Sequence, residues 1–595
     1  MGLPASIWAA YQRRNLAFTF KHQKGYTRHY FVPRKRFFSY YTTPSSASQR
    51  TKLQQSNNGL QIRTNPYNMS RVQKDFDSIK EANNTEPDTL QRPKGKKPHV
   101  GIIGAGVAGL RCADVLLKHG VKVTILEGRD RVGGRFYQSD ALGHRVDLGP
   151  NWIHGTGNNP MVDLTKETDT ATMSWDGRQA IFDQLGRLLS EDESAEVFEI
   201  VWTIIEQAMK YSNEECETIS PEISLYDYFK EKIGEFGVSV EKQERILHVA
   251  EMWGAFVGST VQQQSLKFFW MEDSLDGENL FVEETYHKVL KKIAEPALKD
   301  ADIKFGYKAK KIITHETPDG INVTVESLDK ESLTFDELVT TTPLGWLKAN
   351  KDAFEPELPV RLQQAITSIG YGHLDKVYIT FPTAFWNEHP QPSSNPESTD
   401  SPLNLPGFIQ WTTPTYATQT NPSHWAQEAM NLASLTPSHA HPTLLFYTYG
   451  QTSLHIASLL KSASPSLYSD KQQPSPSLCS EAVKSLLLPF FTPYFSCLPN
   501  YSPTNPEHQP IALLATGWAN DELAGNGSYS NFPVGLEKGG EDVEVMRKGM
   551  PERGVWIAGE HTAPFAGLGT VHGAYWSGEG VAGRLLGAYG VEKVE

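Results

Sequence analysis

Between His99 and Glu127 the chain passes through a short apolar run, a glycine-punctuated turn, a helix-patterned stretch and a second apolar run ending on an acid. The two apolar runs are Val100 to Ile103 and Val121 to Leu126, and Ala113, Leu116 and Leu117 recur between them at helical spacing. Strand, glycine turn, helix, strand and acid in that order form the fingerprint of a dinucleotide site. Each part has a physical task. Gly104 permits the tight turn, Gly106 leaves backbone open to a pyrophosphate, and Gly109 lets helix and strand pack closely. The free N–H groups at the helix start face the phosphates, and the helix dipole favours their charge. Glu127, 18 residues after Gly109, can accept hydrogen bonds from ribose hydroxyls. The plainer alternative is an ordinary βαβ unit with a Gly-rich turn.

The 595 residues, 39% of them hydrophobic, are enough for a large core in two or more domains. No apolar run approaches the roughly 20 residues a membrane span needs, and the longest, Leu486 to Phe491, contains Pro489. Cys112, Cys216, Cys479 and Cys497 lack CxxC spacing and read as neither a disulfide framework nor a zinc site. Cys112 falls on the helix after the glycine turn and reads as a small core residue. His439 and His441 are too isolated to form a ligand set.

Residues 1–74 carry 13 Lys and Arg and no acid before Asp75, so the remainder holds 43 basic against 69 acidic residues, a balance of −26. So acidic a body is a poor nucleic-acid binder and a reasonable host for cationic substrates. The basic start, rich in Arg, Ser, Tyr and Phe, suits a mitochondrial transit peptide. A disordered tail or a misassigned start codon are the alternatives, with a cytoplasmic protein as the outcome. The C-terminus is not a peroxisomal address.

Phe76 to Lys97 reads as a polar linker. Thr165 to Phe229 and Glu241 to Val257 read as helical, and a further helix starts around Glu283. Ile303 to Val325 alternates like paired strands about a turn at Pro318-Asp319-Gly320. Leu338 to Leu347 is an apolar strand entering a proline turn, and residues 374–381 and His441 to Gly450 are further strands. Residues 388–406 and 462–478 are Ser/Pro-rich surface loops. Val555 to Leu586 returns to strand, turn and helix. The chain thus leaves the nucleotide domain and comes back to it.

The run GRDRVGGR, Gly128 to Arg135, carries two adjacent glycines and three arginines. It resembles the FAD-binding start of the flavin amine oxidase superfamily, and puts Gly128, Arg129, Gly134 and Arg135 with the cofactor. Five further segments, in the order of that family's polyamine oxidase branch, extend the resemblance from His99 to Leu586. DLGPNWIHG implies that the backbone of Leu148, Gly149, Pro150, Asn151 and Trp152 passes under the isoalloxazine ring. Its WIHG form is similar to animal spermine and acetylpolyamine oxidases and makes His154 a substrate contact; a histidine satisfied by local backbone is the alternative. GYGHLDKVYITF implies that Lys376 holds a water against flavin N5. A lysine within a strand is costly unless it finds partners, which supports a role. GSYSNFPVG, with Trp518 before it, implies that the tryptophan packs along the flavin and that Tyr529 walls an aromatic cage for the amine. Core aromatics are the alternative for both. AGEHT implies that Gly559 and Glu560 contact the ribityl or pyrophosphate region, and GTVHGAYWSG puts Thr570 and Val571 at the pyrimidine edge. Weaker matches put Thr341 and Pro343 near FAD and the Ala309 backbone at adenine, although all three could be plain sheet residues. One departure stands out: many members carry tyrosine where Thr570 stands, and the single-ring arrangement resembles the histone lysine demethylase branch.

The resemblance implies an α/β fold: a discontinuous Rossmann-like FAD-binding domain of the GR2 type (98–164, 279–347, 551–590) interleaved with an α+β substrate domain (165–278, 348–550), after a basic segment and linker (1–97). It implies oxidation of a polyamine by hydride transfer to flavin N5, imine hydrolysis to aldehyde and amine, and reoxidation by O2 to hydrogen peroxide. The expected partners are a small-molecule amine and O2, with no nucleic acid and no membrane span. The alternatives are a histone demethylase, disfavoured because no long heptad-patterned insertion is present, an amino-acid oxidase or phytoene-desaturase-like enzyme, and a non-catalytic flavin-fold scaffold.

Overall fold

The computed structural model describes residues 92–175, 177–318, 320–387, 405–463 and 477–591. The basic N-terminal segment carrying the mitochondrial expectation lies outside them, as do most of the two Ser/Pro-rich loops. β1 (His99–Ile103) and β2 (Lys122–Glu127) pair in parallel, with Ile103 opposite Leu126, and α1 (Val107–Lys118) crosses between them. They sit within a five-stranded parallel sheet whose order is Val555–Ile557, Glu337–Thr340, β1, β2, Asp302–Phe305. Val100, Ile102 and Ile125 are fully buried, as parallel strands covered on both faces require. One face is covered by α1 and by the last helix, Val571–Ala588. These two approach so closely that a Cβ on Gly578 would lie 2.1 Å from the Ala108 carbonyl oxygen. Cys112 is buried in this core, and burial pushes its thiol pKa up.

The second large sheet has seven strands. Its central run is Ala512–Thr516, Leu374–Thr380, Thr443–Tyr449, Gln427–Asn431, Phe408–Trp411 and Gln179–Phe182. Its two faces differ as the period of 2 demands. Val377, Ile379, Phe446 and Ile409 pack with Phe490, Phe491 and Phe495 of the helix Glu481–Phe495. Lys376, Tyr447 and Glu428 stand in one register across three neighbouring strands and share the other face. A helical layer includes Glu191–Glu215, N-capped by Ser190, which accepts from the Glu193 N–H at 3.3 Å.

Two local expectations need correction. Thr165 to Phe229 is not helical throughout: Thr172–Ser174 and Gln179–Phe182 are strands. Gly177 and Gly186 take positive φ there, and Gln179–Phe182 is held by parallel pairing to Phe408–Trp411, a partner far away in sequence. The helix expected from Glu283 starts at His287, because Leu280–Val282 pairs with Trp152–Ile153 and Thr285 sits at a φ of 72°. The strand expectations hold at Ala309–Thr317 with Gly320–Ser327, Glu337–Thr340, Leu374–Thr380 and Thr443–Tyr449. No helix among the described residues is long and apolar enough to cross a membrane.

Candidate functional site

The C-terminal end of β1 opens onto a cavity of about 480 Å³ that runs from the glycine turn to the second sheet. Gly104 has φ 102°, and a Cβ there would lie 2.6 Å from Thr341 Oγ1. A Cβ on Gly106 would meet nothing within 4 Å; it would project into empty space at the cavity wall. Gly106 is also the N-cap of α1, with no side chain bonded to the helix start and no acid in its first turn. The turn therefore presents unclaimed N–H groups beside an open space, as a pyrophosphate needs. Glu127 closes the turn from the other side, accepting from Ala105 N at 2.6 Å and Arg129 N at 2.8 Å. These features fit a bound dinucleotide.

Every cofactor residue expected from the sequence lines this cavity except Gly109. Gly109 stands one layer behind, where a Cβ would come within 2.0 Å of Gly104 O. It serves packing, the task its spacing implied, and does not face the cofactor. Gly128, Gly134, Ala309, Pro343 and Gly559 contribute at the wall. Arg129 turns its guanidinium to Asp521, at 3.0 and 2.9 Å from the two carboxylate oxygens, in a buried pair. Arg135 donates to Glu560 at 3.2 Å and to the Ser528 carbonyl. Glu560 in turn accepts from Ser530 Oγ at 2.7 Å. The Arg135–Glu560 link ties the Gly128–Arg135 run to the AGEHT turn.

The loop Leu148 to Trp152 forms the floor. Trp518 Nε1 donates to Leu148 O at 3.0 Å, and Trp518 N to Asp375 Oδ1 at 2.7 Å. Asp375 also accepts from Thr516 Oγ1 and Ser453 Oγ, at 2.7 and 2.8 Å. Lys376, next in the strand, points to the opposite face, where Nζ donates to Gly149 O, to Asn151 Oδ1 and, at 3.2 Å, to Asp147 O. Burial pushes its pKa below the usual lysine range. Tyr447, opposite it in the sheet, donates to Asn151 Oδ1 at 3.1 Å.

His154 is buried, and its Nδ1 has no hydrogen-bond partner. Burial holds its pKa well below the usual imidazole value, so the ring is neutral. Tyr529 presents its ring to the cavity while its hydroxyl donates to Phe256 O at 2.9 Å. Thr570 N-caps the last helix: its hydroxyl accepts from Gly573 N at 2.9 Å and donates to Gly567 O at 2.7 Å. Val571 opens that helix at the cavity wall.

The sequence reading missed one wall. Trp175, Phe408, Tyr447, Glu428 and Gln179 line the same cavity beyond Lys376. Glu428 is 4% exposed and accepts from Gln410 Nε2 at 3.3 Å; burial pushes its carboxyl up to about 8. The signal for Glu428 matched the one that singled out Lys376, a charge inside an otherwise buried strand. Gln179 gave none, because its segment read as helix.

The family model described as flavin containing amine oxidoreductase matches residues 107–464 and 478–586. That of pyridine nucleotide-disulphide oxidoreductase matches 45–146. Polyamine oxidase 3 of Oryza sativa subsp. japonica is 26% identical over 511 residues, covering 84% of this chain and 91% of that protein. Probable polyamine oxidase 4 of Arabidopsis thaliana is 28% identical over 316 residues, 51% of this chain and 62% of that protein, so the match spans less than two thirds of that relative. Lysine-specific histone demethylase 1 homolog 2 of Arabidopsis thaliana is 27% identical over 503 residues, covering 83% of this chain and 59% of that protein. With an uncapped helix start, an open glycine turn and a buried lysine gathered on one cavity, and a family match over most of its length, the chain belongs to the flavin-containing amine oxidoreductase family, with FAD as its cofactor and polyamine oxidases among its relatives.

Proposed function

We propose that this enzyme oxidises a polyamine such as spermine, spermidine or an acetylated form, releasing an aldehyde and a shorter amine. Bound FAD would supply the redox chemistry, as acceptor of the hydride from the carbon beside nitrogen, with O2 as final oxidant giving hydrogen peroxide and water hydrolysing the resulting imine to aldehyde and amine. The protein's part is to bind, orient and deprotonate. His154, neutral and at the cavity wall, orients the amine, and the apolar surroundings that keep this ring uncharged favour the amine's reactive neutral form as well. The Tyr529 ring gives the amine a face to pack against. Lys376 holds the floor loop through its three acceptors, and would order a water for the reoxidation half of the cycle by giving up one of them. Gly104, Gly106, Glu127 and the start of α1 hold the adenine-side phosphates and ribose, and Thr570 and Val571 finish the opposite end.

The two large sheets suit this division of labour. The five-stranded sheet, with strands drawn from residues 99–127, 302–340 and 555–557, forms the FAD half. The seven-stranded sheet and the helical layer form the substrate half. The observation that carries the proposal is the convergence of Lys376, His154 and Tyr529 on the FAD cavity, which continues past them between Trp175, Phe408 and Tyr447.

A second reading, oxidation of a methylated lysine side chain, is favoured by Thr570, whose hydroxyl is spent on the helix cap where a second cage ring would stand. Anaerobic mixing with spermine, spermidine, acetylated polyamines, a monoamine and a methyl-lysine peptide decides between them. Rapid bleaching of the flavin by polyamines alone is expected. Bleaching by the peptide alone refutes the polyamine assignment.

A further inference from the structure

We propose that Glu428 is the seat of a second ammonium group, so that the cavity selects diamines and polyamines over monoamines. The inference rests on the amine-oxidation reading above and adds a specificity-determining residue to it. Lys376, Tyr447, Glu428 and Gln410 occupy one register on four consecutive strands, and their side chains leave the same face of the sheet. Strands lie about 4.8 Å apart, so the Glu428 strand stands about 10 Å from the Lys376 strand. That is a span on the scale of a second nitrogen when the first is at the reaction point.

Glu428 lines the cavity and is 4% exposed. Its only neutralising influence is the Gln410 amide; no cationic side chain among the described residues offsets its burial. A carboxylate placed so is costly without a counter-charge. Its open partner direction is the cavity. The Gln410 amide nitrogen sits 3.4 Å from Met252 Sδ as well, so it is held in place as a donor. Two strands further on, Gln179 lines the same cavity. Between these groups Tyr447, Trp175 and Phe408 offer ring faces, which suit methylene chains and the cations they join.

The test compares n-alkylamines with α,ω-diamines of matched length, from four to twelve carbons. Each is titrated into oxidised holoenzyme, and the shift of the flavin absorbance gives affinity. In the parent enzyme the affinity of the diamines is expected to peak at one chain length, where it exceeds the monoamine of that length by about tenfold or more. In Glu428→Gln, which keeps the shape and removes the charge, that ratio is expected to fall toward one. A ratio near one at every length in the parent overturns the assignment and leaves amine oxidation standing, provided the flavin is still bleached by monoamines. A ratio unchanged in Glu428→Gln also overturns it. A flavin that no amine perturbs or bleaches removes both the assignment and the reading beneath it.

Discussion

Gly106 and Gly109 sit three residues apart in the same turn, and their substitutions by alanine should fail in different ways. At Gly106 the backbone has φ −76°, open to any residue, and an added Cβ meets nothing within 4 Å. Losing glycine for alanine at a helix N-cap costs up to about 1 kcal/mol. The methyl nevertheless occupies the path by which the pyrophosphate reaches the helix N–H groups. Two charge-assisted hydrogen bonds, at about 1.5–3 kcal/mol each, would be stretched or lost, weakening FAD binding by about a hundredfold or more. At Gly109, inside α1, alanine gains about 1 kcal/mol in helix propensity. Its Cβ would, however, lie 2.0 Å from Gly104 O and 3.2 Å from Thr341 Oγ1. The helix must retreat from β1, and overpacking of this kind costs about 1–3 kcal/mol, so the apoprotein itself loses stability. The ratio of flavin to protein absorbance and the melting temperatures of apo and flavin-titrated protein separate the two effects. Gly106→Ala should be pale but melt near the parent apoprotein; Gly109→Ala should be pale and melt lower. A Gly106→Ala protein that binds FAD as the parent does would refute the reasoning.

Lys376→Met should keep FAD but slow flavin reoxidation by about a hundredfold and lower stability by about 1–3 kcal/mol, since three buried acceptors lose their donor; an unchanged reoxidation rate in stopped flow rules out the lysine's assigned role. Arg129→Ala or Asp521→Ala should cost about 3–5 kcal/mol by leaving one buried charge alone; a single variant that melts with the parent contradicts this. Glu428, raised to about 8 from an unfolded value of 4.5, keeps its proton longer in the folded protein. Its contribution to stability therefore falls as pH rises through that window, by about 1.4 kcal/mol per unit at most. Glu428→Gln carries no such loss, so its melting temperature should gain on the parent's between pH 5.5 and 8; a gap independent of pH counts against the shift.

What the sequence made legible was local or chemically costly. Gly104, Gly106 and Gly109 act within one turn, so their spacing alone carried the argument. Lys376 stood out because a charge in a buried strand needs a reason. The loop Leu148 to Trp152, Trp518 and Tyr529 could be assigned only through the family resemblance, since the contacts that give them meaning join distant segments, such as Trp518 to Leu148. Gln179 was lost because its strand exists only by pairing with Phe408–Trp411. Tyr447 lay in a strand the sequence showed, but its position opposite Lys376 is a matter of register that one strand cannot reveal. The helix expected from around Glu283 starts later, at His287, after a strand at Leu280–Val282 whose sheet partners lie far off in sequence.

The edge strand Val555–Ile557 lies against Glu337–Thr340, and the helix that follows it closes over α1. Both are made long after the glycine turn of residues 104–109. A nascent chain therefore holds its glycine turn with one flank of the sheet bare and no lid on the groove until residues 555–588 have been made. Capture of the yellow cofactor then waits for those residues, and a chain cut before Val555 would be made but never charged.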